Sequence, residues 1–164
     1  MPVTIKEGNI LEATENIIAH QVNGKGVMGA GLAKQIKKAY PTVYKTYKYF
    51  VKQHPTPESL LGLNLMVATN GKHLHQNDPA DPNVKIISNL FGQADVGTSE
   101  KQTDEEALRK ALEHLLEYAK IDNLSIAIPH GIGCGLGGGD WDEILAIIED
   151  VFEEYPVTLY KYDK

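Results

Sequence analysis

Two segments of this chain share one grammar: an apolar run of strand length, a glycine loop, then an amphipathic run of helix length. The first is NIIAHQVNGKGVMGAGLAKQIKKAYP, Asn16 to Pro41, and the second is LSIAIPHGIGCGLGGGDWDEILAIIE, Leu124 to Glu149. Such units fit a sheet covered on both faces, because their strands are apolar enough to be buried on both sides. Around them, strands are expected at Val3–Lys6, Leu63–Thr69, Val84–Phe91 and in VTLYKY near the end. Helices are expected over Gly29–Ala39, after Pro41, from Thr103 to about Lys120, and from Asp140 to Glu154. Alternating strands and helices, with no linker or repeat, predict an α/β fold: one three-layer α/β/α domain over residues 1–164 with a mixed central sheet.

The glycines set the chemistry to be tested. Gly24, Gly26 and Gly29 match G-x-G-x-x-G, the fingerprint of a dinucleotide loop. A nicotinamide site also needs an acid about 20 residues further on, to hold the ribose hydroxyls. The stretch VYKTYKYFVKQ, residues 43–53, has none. A phosphate loop of the Gly-Lys-Ser/Thr type is missing as well. The second loop adds Gly133, Gly135, Gly137, Gly138 and Gly139 within seven residues. Two glycine loops at strand carboxyl ends, each opening a helix, suit a diphosphate clamped from both sides by backbone N–H groups.

Composition removes several classes of function. A net charge of −6 speaks against a broad nucleic-acid surface, and the tyrosines of YPTVYKTYKYF accordingly read as helix packing rather than base stacking. One cysteine, Cys134, excludes an intramolecular disulfide and fits a reducing compartment. With neither a membrane span nor a signal peptide apparent, a cytoplasmic protein is expected. His73 and His75 form an H-x-H without a third ligand, so no metal is expected.

The pair HQVNGKGVMGAGLA and IPHGIGCGLGGGDW, with EGNIL before and IISNLFGQ between, resembles the macrodomain family over nearly the whole chain. It is most similar to the branch holding the yeast ADP-ribose 1″-phosphate phosphatase, the terminal ADP-ribose glycohydrolase and the bacterial DNA-ADP-ribose antitoxins. The resemblance implies ADP-ribose in the crevice. Adenine would lie near Asn9 and Ile10, and the diphosphate between Val27, Met28, Gly29, Ala30 and Gly31 on one side and the second loop on the other. The distal ribose would lie near Asn23, Gly29 and the loop of Gly133, Cys134, Gly135, Leu136 and Gly137. Asn89, Phe91 and Gln93 follow a strand end and are expected to border that ribose, with core packing as the alternative for Phe91.

Departures from the family narrow the chemistry. The first loop carries Val27-Met28-Gly29 where mono-ADP-ribosyl hydrolases of this family place an Asp. The lysine used by the glycohydrolase and the antitoxins is absent from Asn89–Gln93, and Gly137 stands where the glycohydrolase has an Asp. What remains is His20, in the spacing His-x-x-Asn to Asn23, as in the yeast phosphatase. An imidazole there would activate water or donate a proton near neutral pH, or else be a strand histidine satisfied by its neighbours. Asn23 either positions the sugar or holds a turn. Asp140 is a second acid–base candidate, although Glu143 three residues on also makes it a capping-box residue. Cys134 would need an adjoining base to act as a nucleophile, Trp141 reads as a core anchor, and Tyr160 as either crevice wall or core.

The expected function is therefore an ADP-ribose 1″-phosphate phosphatase using no cofactor. The alternatives are a non-catalytic ADP-ribose reader and an ADP-ribosyl hydrolase acting on protein or nucleic acid. The expected partner is ADP-ribose or a phosphorylated derivative, with an ADP-ribosylated macromolecule as a further one and no membrane.

Overall fold

Strand β2 (Ile17–Val22) occupies the centre of the sheet, and its residues point alternately into two separate cores. Ile17 and Ala19 face one side and Ile18 and Val22 the other, all buried. This two-sided burial is why Ile17, Ile18, Ala19 and Val22 do not alternate with polar residues, His20 and Gln21 being the strand's two polar positions. The computed structural model describes residues 2–97, 100–135 and 137–162.

In chain order the elements are β1 (Val3–Glu7), β2, α1 (Gly31–Ala39), α2 (Pro41–Lys52), β3 (Asn64–Ala68), β4 (His73–Leu74) and β5 (Ile86–Phe91). They continue with α3 (Glu105–Asp122), β6 (Ile126–Pro129), α4 (Trp141–Val151) and β7 (Val157–Lys161). The sheet order is β1-β7-β6-β2-β5-β3-β4. From β1 to β5 neighbours are parallel, whereas β3 runs antiparallel to β5 and β4 to β3. The fold is α/β with a mixed central sheet, as expected.

Each layer is held by an amphipathic helix pair. Leu108, Leu112, Leu115, Ile144 and Ile148 from α3 and α4 cover Ile17, Ala19, Leu90 and Ile128. On the opposite face, Ile36, Val43 and Tyr47 from α1 and α2 cover Ile18, Val22, Ile87 and Phe91. Truncating one of these branched side chains to Ala would cost about 2–5 kcal/mol. Pro41, which cannot continue α1, instead occupies the first turn of α2, where its missing N–H costs nothing.

Boundaries shift where local signals were short. α1 begins at Gly31 rather than Gly29, α4 ends at Val151 rather than Glu154, and the expected turn HPTPE leads into a 3-10 helix over Pro57–Leu60. The two-residue β4 has no periodicity to announce it and exists because the Asn70-Gly71 turn returns the chain beside β3. Among the described residues, no helix is long and apolar enough to cross a membrane.

Candidate functional site

A cleft of about 430 Å³ opens at the carboxyl ends of β2 and β6, between the two glycine loops. On its first side Gly29, Ala30, Gly31, Leu32 and Ala33 bring the start of α1 to the cleft. Ala30 is the N-cap and offers no side-chain hydrogen bond, and the first turn contains no acid. By contrast, Asp104 and Asp140 cap α3 and α4 through their carboxylates. The leading N–H groups of α1 and its positive dipole end are thus left to whatever occupies the cleft, an arrangement that favours an anion. The cleft's described lining contains no Asp, Glu, Lys or Arg, so backbone N–H groups would supply its binding power toward phosphate.

Asn23 lines the cleft and also shapes the first loop. Its Oδ1 accepts from the N–H groups of Lys25 and Val27 and from the Tyr47 hydroxyl, and its Nδ2 donates to the Val27 carbonyl at 2.8 Å. One amide hydrogen is left for a ligand.

The second loop is held by Thr103 and Gln21, which the sequence patterns did not single out, together with Gln93, which was expected to border the distal ribose. Thr103 donates its hydroxyl to the Gly133 carbonyl at 2.7 Å and accepts from Gln21 Nε2 at 2.9 Å. Gln21 Nε2 also donates to Gln93 Oε1 at 2.7 Å, and the Gly137 carbonyl accepts from the N–H groups of Gln102 and Thr103. Gly137 is required by contact: a Cβ there would lie 2.4 Å from Thr103 Oγ1 and 2.8 Å from the Gly133 carbonyl. Gly133 sits at φ +78, a conformation that side chains disfavour. Gln21 and Gln93 both line the cleft, so this network braces the loop and forms part of its wall.

His20 lines the cleft at its base, only 2% exposed. Its Nε2 lies 2.7 Å from Asn89 Oδ1 on the adjacent β5. Asn89 donates Nδ2 to the carbonyls of Leu65 and Ile87, so its oxygen must face the histidine and the ring proton belongs on Nε2. Nδ1 keeps a lone pair that has no partner and is buried. Burial, opposed by the Asn89 hydrogen bond, pushes the His20 pKa down to about 4. At neutral pH the ring is uncharged, with the lone pair of Nδ1 free to accept a proton. A second histidine, His130, borders the cleft and packs against Trp141 with ring centroids 4.6 Å apart. Only its position in IPHGIG could have signalled it.

Several expected site residues fall elsewhere. Met28 and Ile10 belong to the core on the α1/α2 face, and Asn9 accepts the Leu11 N–H to cap a 3-10 turn. Asn89 reaches the cleft only through His20, being fully buried. Cys134 packs on the α3/α4 core; burial, with Asp140 and Glu105 adding to it, pushes its thiol pKa up, away from a nucleophilic thiolate. Asp140 caps α4 by accepting the Asp142 N–H at 2.9 Å and does not border the cleft. Tyr160 is buried, with its hydroxyl on Glu15. Leu136 lies outside the described residues. His73 and His75 stack at 4.1 Å, and among the described residues no cluster of three metal-ligating side chains forms.

Comparison with known proteins agrees with this architecture. Residues 19–148 match the family model described as Macro domain. The chain is 28% identical to an ADP-ribose 1″-phosphate phosphatase of Meyerozyma guilliermondii, over 84% of this chain and 85% of that protein. It is 26% identical to a DNA ADP-ribosyl glycohydrolase of Mycobacterium tuberculosis, over 94% of this chain but 40% of that protein's length. The solved macrodomain of Mycobacterium tuberculosis DarG superposes with a TM-score of 0.74 at 25% identity, covering 96% of each chain. With its two glycine loops at the ends of a mixed seven-stranded sheet, the chain belongs to the macro domain family.

Proposed function

We propose that the cleft binds ADP-ribose and that the protein removes the phosphate from ADP-ribose 1″-phosphate. The observation carrying this reading is the orphaned Nδ1 of neutral His20 at the base of a cleft whose wall includes the uncapped start of α1. The diphosphate would accept hydrogen bonds from backbone N–H groups of residues 29–31, 133–135 and 137, with Val27 packing beside it. The distal ribose would lie toward Asn23, Gln21 and His20. In hydrolysis, His20 Nδ1 would take a proton from the attacking water as its oxygen bonds to phosphorus. The bond between phosphorus and the ribose oxygen breaks, and the proton held on His20 passes to that oxygen, giving ADP-ribose and phosphate and restoring the neutral ring. The relatives named ADP-ribose 1″-phosphate phosphatase support the substrate.

A second reading, a reader that holds ADP-ribose without turning it over, is favoured by the depth and low basicity of His20. Phosphate release from ADP-ribose 1″-phosphate, measured for the wild type and His20→Ala alongside calorimetric titration of ADP-ribose and NAD, separates the two. The phosphatase reading expects turnover that is lost in His20→Ala with ADP-ribose affinity retained. Binding without turnover leaves the reader, and no ADP-ribose binding by folded protein overturns both.

A further inference from the structure

The net charge of −6 conceals a strong partition. Between Asn16 and Pro57 there are seven lysines and no Asp or Glu, so this stretch carries +7 and the remainder of the chain −13. The fold gathers most of that positive charge on one layer. Lys34, Lys37 and Lys38 lie on α1, and Lys45, Lys48 and Lys52 on α2; all six are exposed. Among the described residues, none of the six lies within ion-pairing distance of a carboxylate. The opposite layer is acidic: α4 carries four carboxylates and no basic residue.

Aromatic groups are interleaved with the lysines. Tyr47 points into the core, as expected of a packing residue, but Tyr49 stands 65% exposed. Lys45 and Lys52 precede and follow it by four and three positions, hence on the same side of α2. Tyr44 is flanked by Lys37 and Lys48, whose Nζ atoms lie 4.3 and 5.9 Å from its ring centroid. Its hydroxyl also reaches the Gly26 carbonyl in the first glycine loop. The basic face therefore runs to the rim of the cleft, and α1 enters the cleft at its own N-terminus.

From this arrangement we infer that the α1/α2 face binds the backbone of a single-stranded nucleic acid, with Tyr49 offering a base-stacking platform. Lysine ammonium groups that lack carboxylate partners suit a polyphosphate chain, and an exposed aromatic between them suits unpaired bases. An anionic membrane fits less well, because the apolar sides of both helices are already buried against the sheet. The inference is independent of the chemistry proposed for the cleft.

The test is fluorescence anisotropy of a labelled, unmodified 20-nucleotide DNA strand titrated with the full chain at about 50 mM salt. Three lysine–phosphate contacts predict about a twentyfold loss of affinity on raising salt from about 50 to about 200 mM. The triple variant Lys45→Gln/Lys48→Gln/Lys52→Gln is expected to bind at least about tenfold more weakly, with a salt slope shallower by about 2. Its melting temperature and ADP-ribose affinity should match the wild type. Tyr49→Ala should weaken the single strand about fivefold while leaving a duplex of the same sequence unaffected. The matched triple Glu106→Gln/Glu113→Gln/Glu117→Gln on α3 should leave binding within about twofold, since it changes net charge without touching the face. Absence of salt-dependent binding by the wild type, equal binding by the lysine triple, or a response to the α3 triple equal in size would each overturn the inference. So would binding to phosphatidylglycerol vesicles without binding to the oligonucleotide. An ADP-ribose titration on the same preparation reports the cleft separately.

Discussion

His20 Nε2 donates to Asn89 Oδ1 at 2.7 Å across the β2–β5 pair, and this one bond sets the tautomer of the only histidine on the central strand. The ring is held neutral, with burial lowering its pKa from 6.5 to about 4. Between those values the unfolded chain takes up a proton that the folded protein refuses, so stability falls as pH drops through that window. The contribution is fully present above about pH 6.5 and amounts to about 3 kcal/mol at 1.36 kcal/mol per pKa unit. Denaturant unfolding of the wild type and His20→Asn at pH 7 and pH 4 should show a smaller loss in the variant by about that amount. Equal losses would mean that His20 titrates normally.

Gly135 has open space around its missing side chain, unlike Gly137. Gly135→Val is therefore expected to fold normally while its branched side chain crowds the proposed diphosphate. Calorimetry should show ADP-ribose binding about tenfold weaker or worse, about 1.4 kcal/mol. Unchanged affinity would count against a phosphate cradle at this loop.

Thr103 ties the second loop to Gln21 through two hydrogen bonds. Thr103→Val keeps the shape, removes the hydroxyl, and leaves the Gly133 carbonyl without that donor. A stability loss of about 1–3 kcal/mol is expected, together with weaker ADP-ribose binding from a loosened loop. A variant as stable as wild type would show that Thr103 is not the brace.

Asp140→Ala should behave as a lost helix cap. Thermal or denaturant unfolding is expected to register about 1 kcal/mol, with phosphate release unchanged. Loss of turnover without loss of stability would return Asp140 to the catalytic candidates.

Sequence alone determined the strand-loop-helix units, their order, and the double-sided burial of β2, because apolar periodicity and glycine clusters are local properties. The same local logic marked Asp140 as a cap. It also brought Asn23, Val27, Gly29–Gly31, Gly133, Gly135 and Gly137 to the cleft, since both loops follow strand ends. Tertiary structure decided what periodicity does not contain. The bond between His20 and Asn89 joins residues 69 positions apart, and that between Gln21 and Thr103 spans 82. Such partners meet only once the sheet order is set, so neither the neutral state of His20 nor the brace behind the second loop has a sequence signature. The same holds for charge: a chain-wide sum of −6 cannot express a basic layer and an acidic one, because folding, not composition, assigns each helix to a face.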